Sequence, residues 1–124
     1  MDYSFSKSYI LSKQIEIDEL FANGKRSKNQ VFTLLYQKVP STVVPFQVLI
    51  SVPKRNIKKA VDRNYLKRCI REVIRKNKEL FVHSENLAEK SVHFAIIYNS
   101  SSKLKYSSIE KKLIDLLIKI PNLK

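Results

Sequence analysis

Arg63, Lys67, Arg71 and Arg75 recur at every fourth residue, the spacing that stacks side chains along one face of an α-helix. Guanidinium and ammonium groups in such a ladder suit one kind of chemistry, the neutralisation of a row of phosphates. As a merely solvated surface the ladder is unfavourable, because each like-charged i, i+4 pair costs an isolated helix roughly 0.2–0.5 kcal/mol. A phosphate backbone removes that repulsion and adds counterion release. The ladder lies within Pro53 to Lys78, which carries eleven Lys or Arg against two acids, Asp62 and Glu72, a net of +9 in a chain of formal charge +13. With few acids at hand to neutralise it, a solvated face is the weaker reading and RNA the stronger.

Projected at about 100° per residue, Arg63, Asn64, Lys67, Arg68, Arg71, Arg75 and Lys78 share one side of this helix. Tyr65, Leu66, Cys69, Ile70 and Val73 share the other, with Ile74 near the boundary. Asp62 falls near the start, where a carboxylate complements the helix dipole or caps a free N–H. Lys54, Arg55, Lys58 and Lys59 extend the cationic patch across the turn that enters the helix.

Other chemistries find less support. His83 and His93 could in principle form an acid–base pair for RNA cleavage, but one lies in a polar connection and the other inside an apolar strand pattern. Asp18, Glu19, Asp62, Glu72 and Glu110 form no paired motif of a metal-dependent nuclease. The single cysteine, Cys69, can make no internal disulfide, has no neighbours for zinc, and is expected to pack. A single glycine, Gly24, excludes a P-loop or a GxGxxG turn. Neither a catalytic residue nor a metal site is expected on the chain itself.

The elements that must position the basic helix can be read from periodicity. Ser12 to Asn23 reads as a helix with Ser12 at its N-cap and Gly24 in the left-handed position past its end. Lys25 to Gln30 reads as a polar loop. Val31 to Val39 alternates, with Phe32, Leu34 and Tyr36 on one side, and Phe46 to Val52 alternates again before Pro53 ends it. Glu79 to Ser91 is a polar connection, and Val92 to Tyr98 is a nearly continuous apolar strand, expected to be central. Ser107 and Glu110 fit a capping box for a last helix with the stripe Ile109, Leu113, Leu116, Leu117 and Ile120, ending before Pro121. The chain of 124 residues is 44% hydrophobic with a mean hydropathy of −0.27, which fits one α+β domain spanning residues 1–124. No apolar run approaches the roughly 18–20 residues of a membrane span, and the N-terminus lacks a signal-peptide pattern. A soluble cytoplasmic protein is expected.

Arg63-Asn64-Tyr65-Leu66-Lys67-Arg68-Cys69-Ile70-Arg71-Glu72, preceded by Lys59-Ala60-Val61, closely resembles the signature of the bacterial ribonuclease P protein subunit. That family reaches an Arg-Asn-Arg-x-x-Arg helix from a strand ending in Ser-Val-x-Lys-Lys/Arg, matched here by Ser51-Val52-Pro53-Lys54-Arg55. Leu20-Phe21-Ala22-Asn23-Gly24 stands where the family's first helix ends in Phe-x-x-Gly, and Phe32 follows at the spacing of its first strand. Two positions depart from the pattern. The third motif residue, usually Arg, is Tyr65, and cleft positions that are often aromatic are Ile17 and Leu35, with Tyr36 one place off.

The resemblance implies an α-β-β-β-α-β-α sandwich, a small mixed sheet with helices packed on it and a left-handed βαβ crossover. It implies a protein subunit of an RNA-based endoribonuclease that removes the 5′ leader of precursor tRNA, with the catalytic groups and most of the Mg²⁺ belonging to the RNA and substrate. Lys54, Arg55, Lys59, Arg63, Asn64, Lys67, Arg68 and Arg71 would bind the catalytic RNA, and Asn64 could instead serve as a local cap. Phe21, Phe32 and Tyr36 would line a cleft for the leader between the first helix and the sheet, although Phe21 and Phe32 fit core packing as well. The partners would be ribonuclease P RNA and precursor tRNA, with no membrane and a monomeric protein. The alternative is a non-catalytic ribosomal or general RNA-binding protein.

Overall fold

The computed structural model describes residues 9–40, 44, 46–78 and 90–119. Its elements run α1 (Gln14–Asn23), β1 (Lys25–Lys28), β2 (Phe32–Pro40), β3 (Phe46–Ser51), α2 (Ala60–Lys76), β4 (Lys90–Tyr98) and α3 (Tyr106–Ile118). This is the expected α-β-β-β-α-β-α order. The strands form one mixed sheet in the order β1-β2-β4-β3. The apolar run of β4 is central as expected, antiparallel to β2 and parallel to β3, and the parallel pair is joined through α2, since such a pair requires a crossover.

The register aligns Tyr36, Phe94 and Val48 in one row and Leu35, Ala95 and Leu49 in the next, and successive rows point to opposite faces. On one face Phe32, Leu34, Tyr36, Phe46, Val48, Phe94, Ile96 and Tyr98 pack with Leu66, Ile70, Val73 and Ile74 of α2 and with Ile109, Leu113, Leu116 and Leu117 of α3. Edge-on ring pairs organise this core, with centroids 5.7 Å apart for Phe32 and Tyr98 and 6.3 Å for Phe46 and Phe94. On the other face a smaller cluster of Leu11, Leu20, Leu35 and Ala95, flanked by Ile17, Leu49 and Ile97, lies with α1. Helices on both faces explain why β2 is buried without interruption from Phe32 to Tyr36. Truncating such a side chain to Ala costs ~2–5 kcal/mol.

Four local expectations need correction. Lys25–Lys28 is no loop but strand β1, paired antiparallel with Thr33–Tyr36; its sequence KRSK has no apolar residue to advertise it. Gly24 is not left-handed but extended, at φ −70° and ψ 155°. Glycine is needed there for room, since a Cβ would lie 2.5 Å from the Leu20 carbonyl oxygen and 2.8 Å from its Cδ1. Ser12 does not cap α1, whose N-cap is Lys13 without a side-chain hydrogen bond. The capping box at Ser107 does not form either: α3 starts at Tyr106 after Lys105, and Glu110 accepts from the Tyr106 hydroxyl at 3.1 Å instead. Burial, followed by that bond to Glu110, pushes the Tyr106 phenol up to about 12. His83, Ile120 and most of the connection before β4 lie outside the described residues.

Candidate nucleic-acid interface

The basic helix is aimed by the loop that enters it. Pro53 ends the extended segment after β3, and its carbonyl accepts from the amides of Asn56 at 3.0 Å and Ile57 at 3.1 Å, closing a turn at 54–56. Asn56 Nδ2 ties the turn to the end of the central strand by donating to the Tyr98 carbonyl at 3.0 Å. Ile57, 5% exposed, anchors the loop in the main core. Arg63 completes the fastening, its Nη1 donating to the carbonyls of Ile57 at 2.9 Å and Lys58 at 2.8 Å. One nitrogen of this guanidinium thus serves the fold rather than a ligand.

Beyond Arg63 the two sides of α2 separate as projected. Leu66, Cys69, Ile70, Val73 and Ile74 are buried, whereas Asn64, Arg68 and Arg71 are exposed and Lys67 is half-buried. Among the described residues no carboxylate lies within ion-pairing distance of Lys67, Arg68 or Arg71. The last rung of the ladder differs. Arg75 donates from Nε to Glu72 Oε1 at 2.8 Å and from Nη2 to Oε2 at 2.5 Å, and this bidentate pairing holds the Glu72 carboxyl below its usual range. Lys78 also leaves the row, with Nζ 4.4 Å from the ring centre of Tyr9.

Asp62 neither caps the helix nor stands free, for Lys103 from the loop after β4 places Nζ 3.2 Å from its Oδ1. The same ammonium lies 4.7 Å from the centre of the Tyr65 ring, a cation–π distance. A cation therefore sits beside the one motif position that lacks its own. The Tyr65 phenol is held above its ordinary range, first by its hydrogen bond with the Cys69 thiol. Sequence reasoning missed Lys103, because its loop has no periodicity and only the fold brings it to α2. A groove of about 390 Å³ opens here, lined by Arg55, Lys58, Lys59, Asp62 and Lys103. With Asp62 and Glu72 both engaged, the described residues offer no cluster of three or more His, Cys, Asp or Glu for a metal ion.

The expected leader cleft is rearranged. Phe21, on α1, is 38% exposed and is available to a ligand. Phe32, with no exposed surface, and Tyr36, at 4%, belong to the opposite core under α2 and α3, so neither lines a space between α1 and the sheet. Their neighbour Leu35 points the other way and meets Leu20 and Ile17, which restores to the α1 face the two positions where the resemblance leads one to look for aromatics. Register also places Arg26 opposite Leu35 and Lys28 opposite Thr33, putting two cations along that face. His93 is 3% exposed in the central strand. Burial lowers its imidazole pKa, with Glu16 opposing.

The family model described as Ribonuclease P matches residues 5–121. The Ribonuclease P protein component of Chlorobium phaeobacteroides is 42% identical over 80 residues, 61% of this chain and 55% of that relative. That of Syntrophus aciditrophicus is 30% identical over 118 residues, 95% of this chain and 92% of that one. Among solved structures, the RNase P protein of Staphylococcus aureus superposes with a TM-score of 0.75 at 21% identity, covering 95% of this chain and 100% of its own. That of Thermotoga maritima gives 0.71 at 24% identity, covering 90% and 96%. At these identities the structural likeness speaks to the fold.

Proposed function

The chain belongs to the ribonuclease P protein family, and from that premise we propose that it binds ribonuclease P RNA and the 5′ leader of precursor tRNA, assisting removal of the leader. The observation that carries this reading is the exposed face of α2, where Lys67, Arg68 and Arg71 stand without carboxylate partners among the described residues. A row of unpaired cations on a rigid helix matches a folded phosphate backbone, each guanidinium being able to hold phosphate oxygens in a fork. Asn64, exposed beside them, hydrogen-bonds RNA. Lys54, Arg55 and Lys59 continue the contact along the entering loop, with Arg63 contributing its remaining N–H groups.

The leader lies along the α1 face, where Phe21 offers a stacking surface, of a kind worth about 1–3 kcal/mol per base. Arg26 and Lys28 flank its backbone. Phosphodiester hydrolysis belongs to the RNA subunit, and Mg²⁺ is held by RNA and substrate oxygens, which suit a hard cation that keeps much of its water. The protein supplies binding and charge neutralisation. It works in the cytoplasm as one copy on the RNA; among the described residues no helix is long and apolar enough to cross a membrane.

Purified protein alone should leave precursor tRNA intact. Ribonuclease P RNA with Mg²⁺ at physiological salt should cleave it far better when the protein is added. Unchanged cleavage, with no binding to that RNA in a gel-shift titration, would exclude this function and favour a general RNA-binding role.

A further inference from the structure

Between Lys59 and Lys67 the basic segment supplies a single cation, Arg63, and one nitrogen of that guanidinium is held by the carbonyls of Ile57 and Lys58. The flank of α2 that carries Val61 and Tyr65, one turn apart, has no charge of its own. Charge returns to it from outside the helix. Lys103, in the loop after β4, sets its Nζ 4.7 Å from the centre of the Tyr65 ring and 3.2 Å from Asp62 Oδ1. The ring is fixed at its far end, where the hydroxyl meets the Cys69 thiol and the Tyr106 backbone amide, and its body packs on the main core. It is a rigid shelf, and the π face it offers holds an ammonium.

These contacts do not use up Lys103. An ammonium has three N–H donors; Asp62 takes one, and the side chain remains 48% exposed. Lys103 lines the groove of about 390 Å³ together with Arg55, Lys58, Lys59, Ser101 and Asp62. Arg55, Lys58 and Lys59 are exposed there, so four cations share the groove with one carboxylate, and that carboxylate is already paired. As a surface ion pair alone, Lys103 and Asp62 contribute little to stability. A surplus of positive charge around a groove suits an anion. We propose that the groove holds a backbone phosphate of the catalytic RNA, with Lys103 reaching it from outside α2 and Tyr65 positioning Lys103. The inference rests on the reading that the chain binds ribonuclease P RNA, and it adds the loop after β4 to the contact surface. Asp62 steadies the ammonium but offsets part of its charge. The Tyr65 ring holds it without neutralising it.

The test is a double-mutant cycle on the full chain, with binding to ribonuclease P RNA measured by gel shift across a salt series. Lys103→Ala should weaken binding roughly four- to sixfold near physiological salt and make the log–log salt slope shallower by about 0.7–0.9, the share of one phosphate. Lys103→Arg should keep the wild-type slope. Tyr65→Arg, which puts a guanidinium on the helix at the place Lys103 now reaches, should restore the Lys103→Ala protein to within about twofold of wild type. Beside an intact Lys103 the same substitution should gain much less. Melting temperatures across the cycle should stay close, because the Lys103–Asp62 pair is solvent-accessible. A lysine that merely braces its loop would instead lower the melting temperature, leave the slope unchanged and gain nothing from Tyr65→Arg. That result, or Lys103→Ala binding that matches wild type, or equal gains from Tyr65→Arg in both backgrounds, overturns this assignment and leaves the larger reading in place. A wild-type chain that ignores ribonuclease P RNA overturns both.

Discussion

Arg63 donates through Nη1 to the carbonyl of Ile57 at 2.9 Å, so the first cation of the basic helix is also the clasp of the loop before it. The remaining cations are not equivalent to it. Arg63→Ala should lower stability by about 1–2 kcal/mol, the worth of two hydrogen bonds to backbone carbonyls, and should weaken RNA binding as well. Urea melts and gel shifts on one preparation check both effects together.

Arg68 and Arg71 should behave differently. Neither has an ion-pair partner among the described residues, so replacing either with Ala should leave the melting temperature unchanged or slightly raised. The slope of log affinity against log salt for ribonuclease P RNA should become shallower by roughly 0.7–0.9 for each phosphate that is no longer neutralised. A large fall in melting temperature with an unchanged slope would make these arginines structural.

Glu72→Gln should remove one of the two negative charges of the basic segment and strengthen RNA binding at low salt. The substitution also tests a pH effect. The paired Glu72 carboxyl titrates below its ordinary value, so the pair stabilises the fold above the unfolded carboxylate pKa of about 4.3. That stabilisation disappears as pH falls through the lowered folded value. The stability difference between wild type and Glu72→Gln should therefore shrink in acid. It should be small throughout, since both side chains are solvent-accessible.

His93 sets a second pH dependence. Its folded pKa lies below the unfolded value of about 6.5, chiefly through burial. As pH falls through 6.5 the unfolded chain takes up the proton first, so stability is complete above that value and declines toward the folded pKa. Chemical denaturation between about pH 7.5 and pH 5.5, above the carboxylate range, should show this decline, and His93→Phe should flatten it.

How much of this was legible in the sequence depends on how many faces of an element are covered. Helix α2 has one apolar and one cationic side, and projection separated Leu66, Ile70 and Val73 from Arg68 and Arg71 as the structure does. The central place of β4 followed from its unbroken apolar run. Strand β2 misled for the complementary reason. With α1 on one side and α2 and α3 on the other, Phe32 and Leu35 are both fully buried, so period-two alternation could group Phe32, Leu34 and Tyr36 but not say which helix they face. Strand β1 was invisible because pairing with β2, not an apolar face, creates it. Gly24 suggested the usual left-handed ending, whereas its reason is the approach of the Leu20 carbonyl, a contact no local pattern encodes. Lys103 reaches Asp62 only because the fold sets the loop after β4 against the first turn of α2, far away in sequence.

Strand β1 forms one margin of the sheet, and a bare margin is an invitation to a second copy of the same chain. Here Lys25, Arg26 and Lys28 are all exposed along it, so two such margins repel before their backbones can zip together. At the far margin the Leu11 amide already bonds the Val48 carbonyl at 3.0 Å, beside the Ile10–Val48 bridge, and occupies part of β3. A molecule this cationic will crowd onto any polyanion in reach, and it can do so at high local density without growing into fibres.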